Sequence, residues 1–65
     1  MVKFPEVEVK LTGEDGNAFS IIGIVSRELR NAGVSEDEIL NYTKEAMSGS
    51  YDKLLQVTMD WVHVC

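Results

Sequence analysis

Polar and apolar positions alternate strictly from Glu6 to Leu11. Val7, Val9 and Leu11 point one way, and Glu6, Glu8 and Lys10 point the other. That period of two predicts a half-buried strand. Pro5 suits its start, where no ladder hydrogen bond is lost. From Ala18 the period lengthens. Ala18, Phe19, Ile21, Ile22, Val25, Leu29 and Ala32 fall mostly on one helical face, which predicts a helix to about Asn31. Gly23 lies inside it, at a cost of about 1 kcal/mol relative to Ala, and is expected to admit a close neighbour. Gly33 stands where a helix C-terminal cap is expected, with Arg30 in the last turn.

Ser35-Glu36-Asp37-Glu38 reads as a capping box, with Ser35 as N-cap and Glu38 reaching back. The helix it opens is expected to run from Glu36 to about Met47, with Ile39, Leu40, Thr43, Ala46 and Met47 inward and Gly49 ending it. Ser50 is placed to cap a third helix, along which Tyr51, Leu54, Leu55, Thr58 and Met59 follow helical spacing. The pattern changes at Trp61. Trp61-Val62-His63-Val64-Cys65 reads as a short strand, with a helix running on to Val62 as the alternative. The order is strand, helix, helix, helix, strand. This predicts one small α+β domain over residues 1–65, with a short two-stranded sheet packed on helices. The expected core is Val7, Val9, Leu11, Phe19, Ile22, Val25, Leu29, Ile39, Leu40, Met47, Leu54, Leu55, Met59 and Val62.

A two-stranded sheet is marginal without such packing. Pairing with a second copy would also satisfy its exposed edge. In a chain of 65 residues, folding buries only about 60% of the surface of the unfolded chain. A single cysteine, Cys65, excludes an internal disulfide and suits a reducing compartment. No apolar run approaches the ~20 residues of a membrane span. Residues 1–20 lack the features of a signal peptide. A cytoplasmic location with no membrane partner is therefore expected.

Charge narrows the partners. Eleven acids against six bases give a net charge of −5, and the bases are scattered among acids. Phosphate backbones are bound by clustered Lys and Arg, so a nucleic-acid partner is not expected. Leu29 to Ser35 followed by a helix superficially resembles a helix-turn-helix. However, the second helix would offer Glu36, Asp37 and Glu38 to the DNA, where phosphate-binding side chains belong. The acidity suits a basic protein partner or a cation.

The polar cluster Thr12-Gly13-Glu14-Asp15-Gly16-Asn17 joins the first strand to the first helix. Asn17 is a good N-cap, and Glu14 and Asp15 lie near the positive end of the helix. The three residues are binding candidates. A calcium loop would need a further distal carboxylate, and Ile22 to Val25 occupy its place. A phosphate loop would need Gly-Lys-Ser/Thr or three spaced glycines. An ordinary turn is the plainer reading. His63 and Cys65 form a His-x-Cys pair whose side chains share one face of a strand. They are weak candidates for a metal shared across a dimer, because a structural zinc site needs about four ligands. No nucleophile–base–orienter set exists, so neither an enzyme nor a cofactor is expected. Phe19, Tyr51 and Trp61 are candidate contact residues if they are exposed, and for Phe19 the core is the preferred reading. The expected function is a non-enzymatic interaction or modulator module, acting on an unknown protein partner or through self-association. The alternative is a small-ligand- or metal-binding homodimer.

The Ala32-Gly33-Val34 turn and the helix lengths resemble small adaptor modules of the ubiquitin-associated kind. A broader resemblance rests on Lys10 to Phe19, Ala32-Gly33-Val34-Ser35, Ala46-Met47-Ser48-Gly49-Ser50-Tyr51-Asp52 and Leu54-Leu55-Gln56. Across about Val9 to Val64 the chain resembles a family of very short bacterial and phage proteins with no established activity. Members more often carry Asp where Ser50 stands, and both residues cap helices well. The resemblance implies a cytoplasmic protein of bacterial or phage type.

Overall fold

The computed structural model describes residues 2–10 and 18–64. It contains the expected order: strand β1 (Phe4–Val9), helices α1 (Ala18–Asn31), α2 (Glu36–Ala46) and α3 (Tyr51–Trp61), and strand β2 (Val62–Val64). The fold is α+β, with a short sheet packed on the helices.

Each helix ends for a local reason. Gly33 takes φ +88°, a conformation costly for any residue with a Cβ. It lets the Val34 N–H reach the Leu29 carbonyl (3.0 Å) and the Gly33 N–H reach that of Arg30 (3.1 Å), closing α1 with a Schellman motif. Ser35 then caps α2 by accepting from the Glu38 N–H at 3.3 Å. Only half of the expected capping box forms, because the Glu38 carboxylate pairs with Lys3 Nζ at 3.2 Å. At the other end of α2 the Ser48 hydroxyl donates to the Glu45 carbonyl at 2.6 Å. Gly49 contributes space there: a Cβ at this position would lie 3.0 Å from Lys53 Cγ. Ser50 caps α3 by accepting from the Lys53 N–H. Gly23 admits no neighbour. It is exposed, and a Cβ there would meet nothing within 4 Å.

α3 runs without a loop into β2, where Val62 turns extended at φ −136°, ψ 165°. Of the two readings of residues 61–65, the helix therefore ends at Trp61 and the strand begins at Val62. β2 lies parallel to β1, a connection long enough because three helices intervene. Phe4 is paired with Val62, Glu8 with His63 and Val9 with Val64, with an irregularity between Phe4 and Glu8. The Lys3 N–H also donates to the Asp60 carbonyl at 2.8 Å.

The inner face of the sheet (Val7, Val9, Val62) packs with Ile21, Ile22, Val25 and Leu29 of α1, Ile39, Tyr42 and Ala46 of α2, and Leu54, Val57 and Trp61 of α3. Four expected core residues lie outside it: Phe19, Leu40, Met47 and Met59 are exposed. In α2 the buried line is 39, 42 and 46. Leu40 and Met47 each sit one position beyond it, and one step turns a side chain about 100° around a helix. In α3 the buried set 54, 57, 58 and 61 leaves Met59 outside in the same way. Leu55 is half-buried against the core, and Leu11 lies outside the described residues.

Candidate functional site

Two apolar clusters draw on α2 and α3, one around Trp61 and one around the link between the two helices. The first is closed. Trp61, 5% exposed, stands edge-on to Tyr42 (centroids 5.6 Å apart, planes at 64°) and tilted to Phe4 (5.9 Å). The Lys3 ammonium lies 4.2 Å above its ring, a cation–π contact. Its indole N–H donates to Glu45 Oε2 at 3.1 Å. The Tyr42 and Thr58 hydroxyls, both fully buried, share a hydrogen bond of 2.8 Å. Burial pushes the Tyr42 phenol above its ordinary range, partly opposed by that bond. Every polar atom here has a partner. Trp61 is thus a core residue and leaves the set of candidate contacts.

The second cluster is open. Ala18, Phe19 and Ile22 of α1, Ala46 and Met47 at the end of α2, Gly49 and Ser50 of the link, and Tyr51 and Leu54 of α3 line a cleft of about 220 Å³. Ile22, Ala46 and Leu54 form its buried floor. Phe19 (73% exposed), Met47 (56%) and Tyr51 (43%) stand around it. All three come from helix termini: Phe19 is the second residue of α1, Met47 caps the end of α2 and Tyr51 begins α3. The Ser50 hydroxyl is engaged in capping α3, so what the cleft offers is apolar surface, a thioether and two aromatic rings. Asp52 is exposed beside Tyr51.

Of the sequence candidates, Tyr51 belongs to this cleft. Glu14, Asp15, Asn17 and Cys65 lie outside the described residues. His63 is exposed on β2, paired in register with Glu8. Among the described residues no three His, Cys, Asp or Glu side chains gather as a metal site. No helix among them is long and apolar enough to cross a membrane. Helical spacing alone puts Met47 and Phe19 in the core, where the structure leaves both exposed. The signal that places Met47 in the cleft is its position directly before Ser48-Gly49-Ser50, where α2 stops.

The charges outside the cleft are distributed unevenly. Arg30 holds Glu36 through two bonds of 2.7 and 3.0 Å, which raises the arginine and lowers the carboxyl from their ordinary values. Lys3 pairs with Glu38, and Arg27 lies 3.8 Å from Glu28. Three bases are thus committed to acids. Glu6, Glu8, Asp37, Asp52 and Asp60 have no ion pair among the described residues. Comparisons with family models, curated proteins and solved structures give no match for this chain.

Proposed function

We propose that this chain is a non-enzymatic protein-interaction module, an accessory or modulator of bacterial or phage type acting in the cytoplasm. The cleft among α1, α2 and α3 would be its contact surface. The observation that carries this reading is the exposure of Phe19, Met47 and Tyr51 around one apolar floor. Exposed apolar residues gathered around one cleft, rather than scattered singly, suit an interaction site. Methionine and tyrosine suit the role: a thioether adapts its shape, and a phenol combines an apolar body with a polar tip.

The occupant is a protein segment that presents an apolar or aromatic anchor with basic residues flanking it. The cleft takes the anchor. The net charge of −5, with Asp52 beside Tyr51, favours the flanking bases and speeds their approach.

Affinity capture of the tagged chain from its native host, against a control bait of similar charge, tests the proposal when run beside the Met47→Ser/Tyr51→Ser variant. One stoichiometric partner held by the wild type and lost by the variant is expected. Recovery of the same proteins by both baits, or of the chain alone, would contradict it.

A further inference from the structure

β1 is six residues long and its partner β2 is three. The register jumps from Phe4↔Val62 to Glu8↔His63, so Pro5, Glu6 and Val7 are extended with no residue of β2 opposite them. Among the described residues β1 pairs with β2 alone, which leaves its second edge without a ladder. Parallel sheets are ordinarily covered on both faces and extended by further strands. Here the outer face of β1, with Glu6 and Glu8, is exposed, as is Lys10 directly after the strand.

We infer that the second edge of β1, continued by Lys10, pairs antiparallel with the same segment of another copy, joining two sheets into one of four strands. The residue pattern is self-complementary about Glu8. A two-fold axis through that residue, perpendicular to the sheet, sets Glu6 opposite Lys10 of the other copy, and does so twice. It also sets Val7 opposite Val9 on the helix-covered face. Charged side chains opposite one another attract across a ladder, and β-branched residues pair well there. Glu6, Glu8 and Lys10 have no ion pair within their own chain among the described residues, so all three are available. The one unfavourable row is Glu8 against its own copy on the axis. Pro5, which has no N–H to give, falls outside the rows formed by residues 6–10. A closed two-fold contact of this kind ends at two copies and leaves no edge of β1 for aggregation.

Sedimentation equilibrium over a range of concentrations tests this, with circular dichroism confirming that each variant is folded. The wild type should dimerise reversibly. Lys10→Glu sets like charges opposite each other in two rows and should weaken the dimer about tenfold or more. Exchanging the charges, Glu6→Lys with Lys10→Glu, should restore it. Glu8→Gln, which removes repulsion on the axis, should tighten it several-fold. A wild type that stays monomeric to about millimolar concentration would overturn the inference. So would a dimer indifferent to Lys10→Glu, or one that the charge exchange fails to rescue.

Discussion

The two apolar clusters on α2 and α3 are built from similar residues and do opposite things. In the closed one, Trp61, Tyr42 and Phe4 pack on each other, and each ring polar atom meets Glu45 or Thr58. In the open one, Phe19, Met47 and Tyr51 are exposed around a cleft floored by the buried Ile22, Ala46 and Leu54. An aromatic residue near a helix terminus is therefore not a contact residue by type. What decides its role is how far the fold buries it: Trp61 is 5% exposed and Tyr51 43%. Trp61 has β1, α2 and Lys3 around it. Tyr51 begins a helix at a corner where three termini meet.

The largest effect that would break this comparison lies in the closed cluster. Trp61→Ala should cost about 3–5 kcal/mol, the range for emptying a large aromatic site. Total stability for a chain of this size is about 3–10 kcal/mol, so urea unfolding should show a much lower midpoint or no cooperative transition. Tyr42→Phe keeps the ring but leaves the buried Thr58 hydroxyl without its partner. It should cost about 1–3 kcal/mol, and adding Thr58→Val should recover part of that loss.

Tyr42 also sets an alkaline limit. Its folded pKa is raised, so its contribution is complete below the unfolded value and is lost as pH rises through the folded one. Tyr42→Phe should flatten the loss of stability in base, read from melting temperatures across that range. Gly23→Ala meets open space in an exposed helix interior and should stabilise by about 1 kcal/mol, visible as a raised urea midpoint.

The smallest effect belongs to the exposed Arg30–Glu36 pair. The folded pKa of Glu36 is lowered, chiefly by the hydrogen bond from Arg30. Its contribution is therefore present above the unfolded value and lost as pH falls through the folded one. Glu36→Gln should lose slightly more stability at neutral pH than in acid, and high salt should narrow the gap. An equal loss at every pH would remove the pair from the account.

Much of this fold was legible in the chain because its signals are local. Alternation from Glu6, the serines at 35 and 50, and the glycine at 33 each act within a few residues, and the element order followed from them. The closed cluster was not legible in the same way. Tyr42, Val57 and Thr58 become a core only when α2 and α3 pack, since the bond between the two hydroxyls spans sixteen positions. Trp61 drew attention as a contact residue because sequence spacing carries no information about Glu45 or Lys3. Helical periodicity misplaced Leu40, Met47 and Met59 by a single step around the helix. It drew Phe19 inward because a helix face is defined along the axis and not at its end. The cleft is a product of those ends, and of its residues Phe19 and Tyr51 are legible in the sequence as contacts only on condition of exposure.

The open cluster is surplus to folding, whereas the closed cluster is required for it. Urea unfolding of the Met47→Ser/Tyr51→Ser variant, measured against the wild type, separates the two. A cooperative transition within about 1 kcal/mol of the wild type is expected, the scale of substitutions on exposed surface. A loss approaching that of Trp61→Ala would contradict it and return Met47 and Tyr51 to the core.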